Sequence, residues 1–171
     1  MRKTAWMVAA VLALVPVFAQ AQDVSVNYDK TYDFSKVKTF AVQVGSPAQD
    51  PFLEKYLVNA VTQALAAKGW ARADAAAANA TVVLHGQSET RKKLEAYGSG
   101  GWRMGGGMGS AQLTDYKVGT VVVDVFDTKT KTLLFRGTAA DEMADKAEKN
   151  EKKIDKAVSK ILKDFPPTGK K

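Results

Sequence analysis

The chain contains no cysteine and one histidine. Its longest uncharged apolar run, Ala5 to Phe18, is too short to cross about 30 Å of hydrocarbon comfortably as a helix. Each shortage removes a class of chemistry. Without cysteine there are no disulfides, thiol nucleophiles or thiolate metal sites, and there is no residue after a leader to carry a lipid. With His85 as the sole imidazole, His-rich zinc sites are excluded, and any Ser-His-Asp triad would have to pass through that residue. There is no G-x-S-x-G elbow and no D-x-[DN]-x-[DN]-G calcium loop. A lone histidine in a strand is more often packed or solvent-facing than catalytic. No metal and no cofactor is expected.

The N-terminus reads as a cleavable secretory signal. Arg2 and Lys3 precede the apolar run, and the small-x-small triplet Ala19-Gln20-Ala21 follows it. Cleavage is expected after Ala21, giving a soluble periplasmic product that begins at Gln22 and has no stable membrane anchor. Removal of 21 of the 171 residues leaves 150, a length suited to one domain, and the loss of Arg2 and Lys3 lowers the net charge from +7 to +5. The expected organisation is a signal at 1–21, one domain at 22–167 and a basic tail at 168–171. Lysines crowd the stretch from Lys146 to Lys171, but Glu148, Glu151, Asp155 and Asp164 interleave with them, the pattern of a solvated helix face. No basic stripe with aromatic platforms accompanies it, so nucleic acid is not an expected partner.

Periodicity divides the remainder into elements. Val24, Val26 and Tyr28 alternate with polar residues, as do Phe40, Val42 and Val44 after a connector at Asp33-Phe34-Ser35-Lys36. Between Asp50 and Gly69, apolar residues recur at steps of three and four, with Asp50 as cap, Pro51 in the first turn and Gly69 as the left-handed stop. A third strand is expected from Ala80 to Glu89, and Tyr116–Asp127 with Thr132–Thr138 should form a hairpin. Ile154, Ala157, Val158, Ile161, Leu162 and Phe165 mark a second amphipathic helix, ended by Pro166-Pro167. The order is β-β-α-β-β-β-α. The predicted fold class is α+β, a mostly antiparallel sheet with both helices on one face.

Four segments carry a resemblance: YDFSKVKTFAV, ALAAKGW, GTVVVDVFDTKTKTLLFRGTA and KIDKAVSKILKDFPP. In that order they resemble the bacterial domain of unknown function 4136 family over nearly the whole chain beyond the signal. The resemblance implies an exported protein, in many members a lipoprotein, with no assigned activity. The missing lipid-bearing cysteine departs from those members and favours a soluble form.

Two places attract a functional reading. Tyr97 to Ser110 holds seven glycines together with Trp102, Arg103, Met104 and Met108. It lacks the Lys-Ser/Thr that a phosphate loop requires, and its flanks read as strands, so the first reading is a flexible loop without a ligand, and the functional one a loop that contacts a partner through Trp102, Met104 and Met108. Asp124 and Arg136 each interrupt an apolar strand, as a cross-strand ion pair, a solvent-facing charge or a polar anchor in a ligand cleft. A hairpin register centred on Lys129-Thr130 puts Asp124 opposite Phe135, and a slip of one residue puts it opposite Arg136. The favoured function is a non-catalytic binding or structural module that meets another envelope protein or polymer. The alternative is a hydrolase using Asp124, Asp115 or Glu142 as acid and base, which would need a carboxylate pair about 5–10 Å apart across a cleft.

Overall fold

The structure is a computed structural model that describes residues 22–97 and 110–167. In chain order it comprises β1 (Asp23–Tyr28), a 3-10 turn (Phe34–Lys36), β2 (Thr39–Ser46), α1 (Pro51–Ala67), β3 (Ala71–Arg72), β4 (Ala80–Tyr97), β5 (Ser110–Asp127), β6 (Leu133–Glu142) and α2 (Ala147–Ile161). One sheet takes all the strands in the order β1-β6-β5-β4-β2-β3. Pairings β1–β6, β5–β6 and β4–β5 are antiparallel, whereas β2–β4 and β2–β3 are parallel. The fold class is the expected α+β, but the sheet is mixed. A parallel neighbour needs a crossover rather than a tight turn, and α1 supplies it between β2 and β4. The short strand β3, which lies in that crossover, was not anticipated.

Local chemistry explains the crossover. Asp50 Oδ1 accepts from the backbone N–H groups of Phe52 (2.8 Å) and Leu53 (3.4 Å), satisfying two of the unpaired donors at the start of α1. At the other end Gly69 takes φ +85°, and the amides of Gly69 and Trp70 return to the carbonyls of Ala66 and Leu65. This double closure of the helix end places Trp70 back over Leu65. Asn79 then fixes where the parallel pair begins, since its Oδ1 accepts from the amides of Lys38 and Thr39 and from the Thr39 hydroxyl.

Both helices pack on one face of the sheet and against each other. Leu57, Val61 and Leu65 of α1 and Ala157, Val158 and Ile161 of α2 are buried, followed by Leu162, while Ile154 is half-buried against the same core. Facing them are Phe40, Val82, Leu84, Val123, Val125 and Phe135. Phe165, just beyond α2, is the centre of an aromatic group, making edge contacts with Trp70 and Phe135 at 4.9 Å and with Phe34 at 5.9 Å. Gly137 lets α2 lie close to the sheet, because a Cβ there would collide with the Ile161 side chain.

Candidate functional site

Alternation along β5 sends Val123 and Val125 into the helix-covered core and Asp124 to the opposite face. The hairpin turn starts in the register centred on Lys129-Thr130, with Phe126 opposite Leu133, and a bulge between Val125 and Phe126 then shifts it by one residue. Asp124 therefore faces Arg136. Its carboxylate is only 1% exposed, and both oxygens accept from the guanidinium, Nε to Oδ1 and Nη2 to Oδ2, each at 2.7 Å. The hydrogen bonds and charge of Asp124 push the Arg136 pKa still higher than usual.

His85 stands beside this pair, with Nε2 3.8 Å from Asp124 Oδ2 and Nδ1 3.1 Å from Ser46 Oγ. The line Ser46-His85-Asp124 has the residue types of a triad but not its bonding. At 3.8 Å the Asp–His contact exceeds hydrogen-bond range, and the carboxylate already makes a bidentate bond to arginine. The arrangement locks the hairpin register instead. The other carboxylates considered for acid–base work are dispersed. Asp115 is exposed opposite Lys92 on β4, and Glu142 lies at the end of β6.

Trp102, Arg103, Met104 and Met108 lie outside the described residues. The strands that lead to them are longer than expected, 18 residues each. Beyond Ser46–His85 on one side and Val118–Glu142 on the other, β4 and β5 pair with no third strand among the described residues. From Thr90–Lys117 to Tyr97–Ser110 they form a two-stranded ribbon of eight residue pairs, a projection of roughly 25 Å. Leu94 and Leu113 sit directly opposite each other on it, each 63% exposed. Sequence reading missed this extension because Thr90-Arg91-Lys92-Lys93 shows no apolar alternation. A ribbon wet on both faces needs none.

At the root of the ribbon, the N-terminal halves of α1 and α2, the middles of β4 and β5 and the end of β6 enclose a cleft of about 270 Å³. Leu53, Leu57, Val121, Met143, Ile154 and Ala157 form its apolar wall. Gly86 and Gly119 keep it open, since a Cβ on them would come within 3.0 Å of Ala48 and 3.1 Å of Met143. Among the described residues no group of His, Asp and Glu could hold a metal ion, and no helix is long and apolar enough to cross a membrane.

These features define an α+β module built on one mixed sheet, with a projecting ribbon and a cleft at the ribbon's root. The chain belongs to the family described as Domain of unknown function (DUF4136), which it matches over residues 24–167. No curated protein matches it. Among solved structures it is similar to a DUF4136 family protein from Bacteroides thetaiotaomicron, with TM-score 0.58 and 14% identity over 87% of this chain and 98% of that one. It is also similar to a PDZ domain protein from Parabacteroides distasonis, with TM-score 0.58 and 13% identity over 85% of this chain. The match spans about a third (35%) of that longer protein. A third similar structure is the PelC dodecamer from Paraburkholderia phytofirmans, with TM-score 0.51 and 15% identity over 83% of this chain and 95% of that one. At these identities the likeness is one of fold.

Proposed function

We propose that this chain is an exported, periplasmic, non-catalytic envelope module that works by contact, using the β4–β5 ribbon and the segment it carries to meet another envelope protein or polymer. The observation that carries this reading is the ribbon itself. Projecting a paired Leu94 and Leu113 into solvent adds nothing to the core, and a contiguous exposed apolar pair is better suited to an interface. The leader-like N-terminus supports export, and the absence of cysteine supports a form without a lipid anchor. The dodecameric state of the PelC structure makes a second copy of this chain one partner to test.

The test is crosslinking in the periplasm of the producing bacterium with wild type and with a Leu94→Ser, Leu113→Ser variant. We expect discrete crosslinked species from the wild type and their loss from the variant, with the far-ultraviolet spectrum and melting midpoint unchanged. An identical crosslinking pattern from the two would overturn the reading.

A further inference from the structure

We propose that β1 is a self-pairing edge, through which two copies of this chain join antiparallel, about a twofold axis at Ser25, into one continuous sheet. This interface is separate from the ribbon and goes beyond the contact function assigned to it. Backbone, side chains and charge each bear on the pairing.

β1 ends the strand order, so one of its edges meets no strand among the described residues, and all of its residues except Val24 are exposed. In an antiparallel ladder each residue turns its N–H and its carbonyl to the same side, and successive residues alternate sides. The Asp29 amide donates to the Leu134 carbonyl at 2.8 Å, which assigns the odd-numbered residues of β1 to the bonds with β6. Val24, Val26 and Tyr28 therefore present their donors and acceptors outward. The other open edges are guarded in ways that discourage pairing. β3 has two residues, and the outer side of β2 beyond Phe40 is broken by a bulge between Val44 and Ser46. The ribbon strands carry Arg91, Lys92, Lys93, Asp115 and Lys117. β1 instead runs six residues in unbroken register with neither proline nor lysine, and its one charge is Asp23 at the start.

Side chains and charge select the partner and the register. Val24, Val26 and Tyr28 lie opposite Ala139, Gly137 and Phe135, on the helix-covered face, where Val26 and Tyr28 remain 42% and 39% exposed. Asp23, Ser25 and Asn27 lie on the other face. A twofold axis perpendicular to the sheet keeps each face with its like, and two centres leave most of β1 paired. Centred on Val26, the axis sets Asp23 against Asp29 of the second copy, like charges directly opposite. Centred on Ser25, it sets Asp23 against Asn27 of the second copy, whose side-chain amide donates to carboxylates, and Ser25 against its own counterpart. Val24 then meets Val26 of the second copy, so the outward backbone groups bond one another and the valines cover each other. One short sequence supplies both halves of that match, which points to a second copy rather than an unrelated strand. A strand edge buries less than the roughly 1,200–2,000 Å² of stable complexes, so the dimer is expected to form at micromolar concentration.

The first test is sedimentation of the protein as the producing cell processes it. Its mass should rise from monomer to dimer across the micromolar range, and Val26→Lys should weaken the dimer about tenfold or more with an unchanged far-ultraviolet spectrum. The second test reads the register. The chain has no cysteine, so an introduced one reports on the second copy alone. In the Ser25-centred register the two Ser25 Cα atoms stand about 4.5 Å apart, within the roughly 4.4–6.8 Å that a disulfide spans. The two Asn27 residues are offset by about 13 Å along the strands. Ser25→Cys should oxidise to a covalent dimer, Asn27→Cys alone should not, and Asp23→Cys mixed with Asn27→Cys should join one to the other. If Val26→Lys does not fold, the cysteine variants decide. A protein that stays monomeric to millimolar concentration, equal dimerisation of Val26→Lys, or oxidation no faster in Ser25→Cys than in Asn27→Cys would overturn the proposal. Leu94→Ser, Leu113→Ser should leave this dimer intact, since β6 separates β1 from the ribbon strands, so the two proposals fail separately.

Discussion

Arg136 and Asp124 form one bond pair, but removing one is not equivalent to removing the other. The Arg136 side chain is 53% exposed and can return to water, whereas the Asp124 carboxylate is sealed in the sheet. Arg136→Ala strands a buried charge and is expected to cost about 3 kcal/mol, while Asp124→Ala leaves a solvated guanidinium and should cost roughly half as much. Urea midpoints of the two variants check the order. Asp127 provides a second test at this scale. Hydrogen bonds from the Thr130 amide, the Tyr32 hydroxyl and the Lys129 amide hold its pKa below the ordinary 3.8, against the upward push of burial. A depressed carboxylate stabilises the fold fully above its unfolded value and loses that contribution as pH falls through the folded one. Stability should therefore decline below about pH 4, and Asp127→Asn should flatten that decline in urea titrations run across pH. Asp124 and Arg136 stood out in the sequence as polar breaks in apolar runs. Their pairing did not, because both candidate registers are present, one on each side of the bulge at Val125 and Phe126.

Elements differ in how much of themselves they write into the chain. Helix α1 was legible at both ends because its cap, its proline and its left-handed glycine are local signals that need no tertiary partner. The buried positions of α2 were legible too, whereas its start at Ala147 was not, since Lys146 offers no side-chain cap. Instead the Asn150 side chain folds back to bond both the amide and the carbonyl of Ala144 at 2.8 Å. Leu57→Ala and Ile161→Ala each open a cavity between helix and sheet and are expected to cost about 2–5 kcal/mol, read from thermal or urea midpoints. The ribbon behaves in the opposite way. Among the described residues, replacing 92–115 by a tight turn removes no side chain of the buried core, so the melting midpoint should hold to within a few degrees. A large fall would show that the ribbon holds the domain together.

For the molecule as a whole, the expectation of one sheet under two helices was correct, but the parallel placement of β2 beside β4 was not legible. Strand order depends on which edges meet in three dimensions, and Val42 alternates with its neighbours equally well in either direction. Localisation is tested at this scale. Osmotic shock should release the protein with Gln22 at its N-terminus, and recovery only in membranes with Met1 retained would contradict export as a soluble form.

The position of β1 has a consequence for the order of events in the cell. Its register partners, from Asp23 opposite Ala140 to Tyr28 opposite Phe135, lie near the other end of the chain, and Gln22 bonds a carbonyl 131 residues away. The first strand to emerge from a ribosome or a secretion channel thus has no sheet to join until nearly everything else has followed. Closing so distant a contact late makes folding slow and discourages premature collapse. Under the export proposed above, this topology itself supplies a delay that suits a chain threading a membrane in extended form.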